Sequence, residues 1–385
     1  MKLHSSYFCL IPLSLGAFCM GVAELVIAGM LEKVGIFFNV DAQSAGYLVA
    51  IYAFGVILGA PLLTIPLSRI DRKKQFLCNM GIFALANAVV YLSDNFYLTA
   101  VARFVAGCMH GVFFVIATLI AFQVAQKGKE TQALSLVVAG LTLSMISGVP
   151  LGAWVGNYFG FQSVFLLVFS FALFTFFLAL FLMPKALTSI PTHFHSLVQS
   201  CKSLPMIKVF FITACFCGSL FAFYTYVEPF FLSNDFFDKD KLSWVLLFYG
   251  LCGIGGNFFG GILTDKKGSR YALLTALGTL SLSLLLMSWS IKLWFLAVIN
   301  FGFVGFWAFT CVSPLKKLAM EYATRHTPET IESSISMNEA SFNIGIASAS
   351  LISGAVLTYF GVSFVPLCAF IIAFIPVILL WRARD

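Results

Sequence analysis

Long apolar runs broken by short polar turns organise this chain from end to end. A helix needs about 20 apolar residues to cross the roughly 30 Å hydrocarbon core of a bilayer. Stretches of that length lie near 6–30, 45–67, 75–93, 97–124, 132–158 and 162–183, and again near 207–233, 242–264, 271–289, 293–320, 330–359 and 362–381. The pattern predicts twelve transmembrane helices, six on each side of a polar segment from Pro184 to Pro205. Phe-rich runs such as 171–177 have strand character, but every stretch far exceeds a barrel strand of about 10 residues. In lipid, moreover, each backbone group must be satisfied within its own segment. The expectation is an all-α integral membrane protein: a six-helix bundle over 1–183, a cytoplasmic linker over 184–206, and a second six-helix bundle over 207–385. The first stretch is too long for the apolar core of a signal peptide and lacks a small-residue cleavage site, so it is read as a retained helix.

Two of the polar breaks resemble each other. At the end of span eight come Gly256, Gly260, Thr264, Asp265, Lys266, Lys267, Gly268 and Arg270. Half a chain earlier, at the end of span two, a weaker copy holds Gly59, Ser68, Arg69, Asp71, Arg72 and Lys73. A glycine-bearing helix end followed by a short basic turn, once per half, points to two homologous bundles with parallel repeats. A plain reading also stands: two tight turns that obey the positive-inside bias.

Composition and charge agree with this picture. Hydrophobic residues make up 60% and charged residues 10% of the chain, and the mean hydropathy is +0.97, where a soluble domain carries about 25% charged residues. With the N-terminus inside, eighteen of the 23 Lys and Arg fall in cytoplasmic turns and ends, and only Lys33, Lys239, Lys241 and Lys292 lie opposite, with Arg103 inside a span. Both termini are therefore expected in the cytoplasm. The net charge of +7 follows from that asymmetry and from anionic lipid, so no nucleic-acid partner is needed. The ten cysteines show no CxxC spacing and no metal-ligand pattern. No P-loop and no nucleophile–base cluster is present, so neither an ATP-driven pump nor an enzyme is expected, and no cofactor.

Ionisable residues inside the spans carry the candidate chemistry, because a charge at the centre of a transmembrane helix costs about 2.5–3.5 kcal/mol on insertion scales. Glu24 in span one and Arg103 in span four lie at similar depths, roughly 9 Å from the same surface at about 1.5 Å per residue, which permits an ion pair. His110 falls two turns deeper than Arg103 on the same helix face, with Gly107 between them. A neutral imidazole titrates near physiological pH, but a packed histidine bonded to a helix carbonyl fits the same spacing. Glu228 in span seven lies at a comparable depth in the second half, or at its solvated edge. These four are the proton-coupling candidates, with a structural tie between spans one and four as the competing reading for Glu24. Glu339, Glu329 and Glu332 are candidates for a cytoplasmic latch.

Span five carries Gly140, Ser144, Gly148, Gly152 and Gly156, one small residue every four positions, which lets another backbone approach closely. Similar stripes are Gly55/Gly59, Gly256/Gly260 and Ser341/Gly345/Ala349/Ser353.

Taken together, the stretches Tyr52–Pro61, Ala102–Gly111, Gly148–Gly152, Tyr224–Pro229 and Phe342–Gly345 resemble the major facilitator superfamily, in its twelve-helix drug:proton-antiporter type. Within that type the chain is similar to the bacterial arabinose, sugar and chloramphenicol efflux permeases. The resemblance implies two pseudo-symmetric six-helix bundles working by alternating access, in the bacterial inner membrane and as a monomer. Its loop signature, Asp-Arg/Lys-x-Gly-x-Arg/Lys, is kept at Asp265, Lys266, Gly268 and Arg270. In the first copy Ser68 stands where Asp is expected and Asp71 where Gly is expected. The resemblance implies a cytoplasmic latch at this loop, weaker or differently wired in the first half, and Ser68→Asp is expected to be tolerated or mildly activating. Gly148, Pro150 and Gly152 match a motif associated with antiporters, and spans two and eleven, like five and eight, are implied to pack across the two halves. The central cavity is implied to be lined by spans one, four, seven and ten, with Phe18, Tyr224, Tyr226, Trp307 and Thr310 as candidates. The expected function is proton-coupled efflux of a small organic solute such as a sugar, nucleoside or drug, with protons and lipid as the other partners. Uptake by symport, facilitated diffusion and a non-transporting sensor are the alternatives.

Overall fold

The computed structural model describes residues 8–40, 42–185 and 187–382, which are helical almost throughout. Spans two, three, four and six are Ala42–Leu67, Arg72–Leu92, Phe96–Val124 and Gln162–Leu182. Spans seven to twelve are Leu204–Tyr224, Lys239–Lys267, Ser269–Ser290, Trp294–His326, Ile331–Phe360 and Val365–Arg382. Span five is built from Glu130–Leu143, a π-helical turn Ser144–Gly148, and Val149–Phe159. Proline has no N–H to donate and its ring crowds the carbonyl four residues back. The π turn Ser144–Gly148 includes the position four residues before Pro150, where a regular α-helix would meet that conflict.

Eleven helices among the described residues are long and apolar enough to cross a membrane. Span one is shorter than its apolar stretch: an α-helix over Leu10–Leu25, 16 residues, continued by a 3-10 turn Val26–Gly29. Two β-branched residues, Val26 and Ile27, followed by Gly29 weaken the α-helix there. At about 1.5 Å and about 2.0 Å per residue the two pieces together reach roughly 32 Å, still enough for the hydrocarbon core. Span seven is likewise shorter than its sequence stretch. It stops at Tyr224, and a separate short helix Val227–Leu232 follows.

By its contacts the chain divides into two units, Met1–Ser200 with Glu329–Ala340, and Cys201–Pro328 with Ser341–Asp385. The first three turns of span eleven thus cluster with the first unit, whereas the sequence placed all of that span in the second bundle. The linker contributes a helix of its own, Phe194–Lys202.

Each unit is held by two seams in which glycine lets backbones touch. In the first unit, a Cβ on Gly55 or Gly59 of span two would strike Phe104 or Cys108 of span four, and one on Gly107 or Gly111 would strike Tyr52 or Val56. Gly140, Gly148, Gly152 and Gly156 of span five meet Ser14, Val22, Val26 and Met30 of the span-one segment. In the second unit Gly256 and Gly260 of span eight meet Phe306 and Thr310 of span ten, and Gly345 of span eleven meets Ala214 of span seven. The seams therefore pair two with four and eight with ten, one with five and seven with eleven. The same pairing in both halves is what a duplicated bundle requires. The glycines of these stripes meet partners inside their own unit.

Candidate functional site

The seam between spans two and four brings together a group of ionisable side chains in the first unit. On span four, Arg103, Gly107, His110 and Gly111 share one face, at offsets of about one and two turns. On span two, Tyr52, Gly55, Val56 and Gly59 share the facing one. Because glycine brings the two backbones together, the phenol of Tyr52 reaches His110: its Oη lies 2.8 Å from Nδ1 of the imidazole. The same hydroxyl lies 3.4 Å from the carbonyl oxygen of Met20 on span one. Glu24, one turn further along span one, sets Oε2 4.0 Å from His110 Nδ1. Its side chain is 27% exposed, against 7% for His110. A part-exposed carboxylate beside a buried imidazole can pass a proton between the two without either charge being stranded in apolar surroundings.

Arg103 does not form the direct ion pair with Glu24 that equal depth allowed. It is fully buried, and it donates from Nη1 to the carbonyl of Ala23 at 2.6 Å and from Nε to the carbonyl of Leu48 at 3.3 Å. The switch from α to 3-10 geometry at Val26 leaves carbonyls of the last α-turn short of their usual donors, and a cation is favoured at a helix C-terminus. The guanidinium also stacks over the Tyr52 ring at 4.1 Å and faces the Phe165 ring at 5.8 Å. Cation–π contact of this kind is worth about 2 kcal/mol when desolvated. Arg103 therefore ties spans one, two and four through backbone and ring, and Glu24 turns to His110.

The other candidates fall elsewhere. Glu228 is exposed, in the first turn of Val227–Leu232, in the second unit and so outside the cluster. Phe18 is half-buried against Phe171 of span six at 6.1 Å. Tyr224 lies 5.5 Å from the Tyr249 ring, and Tyr226 donates to the carbonyl of Ser350 at 3.2 Å. Trp307 meets Phe306 and Phe259 edge-on. Thr310 is fully buried in the span eight–ten seam, its hydroxyl 2.7 Å from the carbonyl of Phe306 and 3.1 Å from that of Gly256, so its polar group serves that seam. Gly148 and Gly152 face Val22 and Val26, while the side chain of Pro150 lies outside the described residues.

The two loop copies are wired differently. In the first, Ser68 is buried. Its hydroxyl donates to the carbonyl of Ile65 and accepts from the N–H of Thr192 in the linker at 2.8 Å. Ser189 donates to the Ser68 carbonyl, and Gln75 donates to Ser189. Arg72 pairs with Glu332 at the start of span eleven, both side chains only 2% exposed, and Ile190 donates its N–H to the same carboxylate oxygen at 2.9 Å. Asp71 occupies the N-cap of span three, accepting from the N–H of Lys74 at 3.0 Å. Slight burial works against that carboxylate, but the bonds from Lys74 outweigh it and hold its pKa below the usual value. Arg69 is exposed. An aspartate at Ser68 could not donate to Ile65 and would crowd the linker, so its tolerance is no longer expected. In the second copy Gly268 takes a φ of 87° between spans eight and nine, where only glycine is unstrained. Ser269 donates to Glu321, Arg270 donates from Nε to the carbonyl of Leu380 at 3.1 Å, and Lys266 is exposed. Lys73 does in the first unit what Arg270 does in the second: it caps the end of the sixth span through the carbonyls of Leu180 and Met183.

Residues 13–330 and 209–385 match the profile of the Major Facilitator Superfamily. The chain belongs to that superfamily. It is 29% identical to the inner membrane transport protein YdhP of Escherichia coli K12 over 97% of this chain and 95% of the relative. It is 28% identical to the uncharacterized MFS-type transporter YtbD of Bacillus subtilis over 91% and 89%. Among solved structures, FucP, the E. coli fucose:proton symporter, in its outward conformation, superposes with a TM-score of 0.77 at 14% identity, over 99% of this chain and all of that one. The human organic anion transporter MFSD10 gives 0.76 at 15%, over 98% of each. The fold is thus the all-helical major facilitator fold, and the protein is a multi-pass membrane secondary transporter for a small molecule, not an enzyme.

Proposed function

We propose that this facilitator is a proton-coupled exporter of the drug:proton-antiporter type that carries a small organic solute, a sugar, nucleoside or drug, by alternating access. The reading rests on the part-exposed Glu24 carboxylate 4.0 Å from the buried His110 imidazole, above a fixed guanidinium. A part-exposed carboxylate that can hand its proton to a neighbour, or be displaced by cargo, meets the requirement for exchanging one against the other. Outward direction draws on the Gly148-Val-Pro150-Leu-Gly152 motif and the π turn that precedes it. The proposal includes two six-helix bundles joined by the 184–206 linker, a monomer, and both termini cytoplasmic. The inner membrane of a bacterium is the proposed location, as for the inner membrane transport protein YdhP.

Proteoliposomes with an imposed pH gradient and a panel of labelled solutes test it. Glu24→Gln imitates the protonated acid, so it should abolish gradient-driven accumulation while leaving energy-independent counterflow measurable. Normal accumulation by this variant would make Glu24 structural. Accumulation that runs with the proton gradient instead of against it would establish symport. Topology is tested with single cysteines at Asp238 and His195: in intact cells an impermeant maleimide should label the first and spare the second.

A further inference from the structure

The hydroxyl of Tyr52 has two acceptors in reach, the Met20 carbonyl at 3.4 Å and His110 Nδ1 at 2.8 Å, and it sits where the proton of the proposed cycle would move. The two protonation states of His110 make opposite demands at that point. Neutral His110, with Nδ1 as acceptor, needs a donor, and the Tyr52 O–H supplies it. Protonated His110 presents an N–H at Nδ1, and a phenol still pointing its own hydrogen there would repel it. With the Met20 carbonyl alongside, the phenol can turn its hydrogen to that oxygen and offer its lone pair to Nδ1–H. One hydroxyl thus gives Nδ1 a partner in both states.

From this arrangement we infer that Tyr52 is a positioning residue that lets a proton pass between Glu24 and His110. The inference rests on the proton-exchange reading of Glu24. In the transfer the Glu24 O–H bond breaks and the Nδ1–H bond of His110 forms. At the same moment the Tyr52 O–H swings from Nδ1 to Met20, and charge is conserved because a neutral acid–imidazole pair becomes a carboxylate–imidazolium pair. Groups beside His110 include Glu24 from span one, Tyr52 from span two and the Phe114 ring from span four, and Arg103 lies over the Tyr52 ring. Arg103 is anchored on backbone carbonyls and over the Tyr52 ring, so it stands beside the transfer as a fixed cation and is not its carrier. The ring of Tyr52 and its hydroxyl therefore have separate duties. The ring supports Arg103, and the hydroxyl serves His110.

That separation gives a clean variant. Tyr52→Phe keeps the ring under Arg103 and removes only the hydroxyl, so the bundle should remain folded. In full-length transporter reconstituted in vesicles, pH-gradient-driven transport should fall at least about tenfold while counterflow stays within about twofold. A structural role would lower both together. Histidine-selective 15N NMR gives a second reading that does not depend on cargo: the His110 signal, assigned by its loss in His110→Gln, should show hydrogen on Nε2 in the wild type. In Tyr52→Phe it should become a mixture of tautomers. Unchanged gradient-driven transport, or an unchanged His110 tautomer, would overturn the role of Tyr52. A wild-type response of Glu24→Gln to the gradient would instead overturn the proton reading beneath it, and the two failures are told apart because they occur in different variants.

Discussion

Tyr52 and Tyr249 hold the same place in the two halves, and their neighbours differ completely. Each lies on the second helix of its unit with its carbonyl against a glycine of the fourth, Gly107 for Tyr52 and Gly305 for Tyr249. Four residues before that glycine stands Arg103 in one half and Phe301 in the other. The Arg103 guanidinium sits 4.1 Å over the Tyr52 ring, and the Phe301 ring stacks on Tyr249 at 4.6 Å. A cation occupies the slot where carbonyls of Ala23 and Leu48 await it; an apolar ring occupies it where Phe223 and Phe231 close around. The comparison teaches that the seam is a packing device common to both bundles, and that chemistry has been installed in only one.

Exchanging the two solutions should give the largest effect. Phe301→Arg would bury a cation among aromatic rings, and an uncompensated buried charge costs about 3–5 kcal/mol. Loss of folded protein by size-exclusion chromatography is the expected outcome, and a well-folded variant would show that the second seam conceals acceptors of its own. Nearly as large is Arg72→Ala, which strands the buried Glu332 carboxylate at a similar cost. Thermal unfolding should show a lowered midpoint, restored in part by adding Glu332→Gln. Ser269, at the matching place in the second loop, makes one hydrogen bond to Glu321, so Ser269→Ala should cost only about 1.5–3 kcal/mol.

Intermediate effects separate Arg103 from its substitutes. Arg103→Ala should impair transport and stability more than Arg103→Lys, because an ammonium can reach one of the two carbonyls but cannot span both while covering a ring. Equal defects in the two variants would mean that charge alone matters. In the second loop, Asp265→Asn should slow transport without lowering the amount inserted in the membrane; an unaltered rate would reduce that loop to a turn. The smallest change is Asp71→Ala, which removes the N-cap of span three for about 1 kcal/mol. Since the Asp71 carboxyl is held below its usual pKa, the stabilisation is complete above the ordinary carboxyl range and fades as pH falls through the lowered value. A difference in melting temperature between wild type and Asp71→Ala that did not shrink in acid would contradict the cap.

Much of this was legible before any coordinates. Apolar length alone located the helices, because lipid admits few alternatives, and glycine spacing marked the faces that pack. Glu24, Arg103 and His110 stood out because ionisable groups are rare in spans. Depth fixed only the height of Glu24 and Arg103, however, and not the direction in which each side chain turns. The freed carbonyl at Ala23 depends on a change from α to 3-10 helix that composition barely signals. Tyr52 entered only as the head of a stretch that carries the resemblance and was given no role in the site, because an uncharged tyrosine in a span does not stand out, although it lies three residues before Gly55 on the glycine face. Glu332 was named with the latch, but its pairing with Arg72, 260 positions away, and the part taken by the linker at Ser189–Thr192 are long-range choices that no local pattern encodes.

The meeting of spans one and five has a mechanical consequence. Ser14, Val22, Val26 and Met30 face Gly140, Gly148, Gly152 and Gly156, so two ladders engage like teeth, with rungs eight, four and four residues apart. At about 1.5 Å per residue a four-residue rung is roughly 6 Å. A slide of a fraction of a turn would press Val22, Val26 and Met30 against the span-five backbone, so the interlock opposes gradual slippage of one helix past the other.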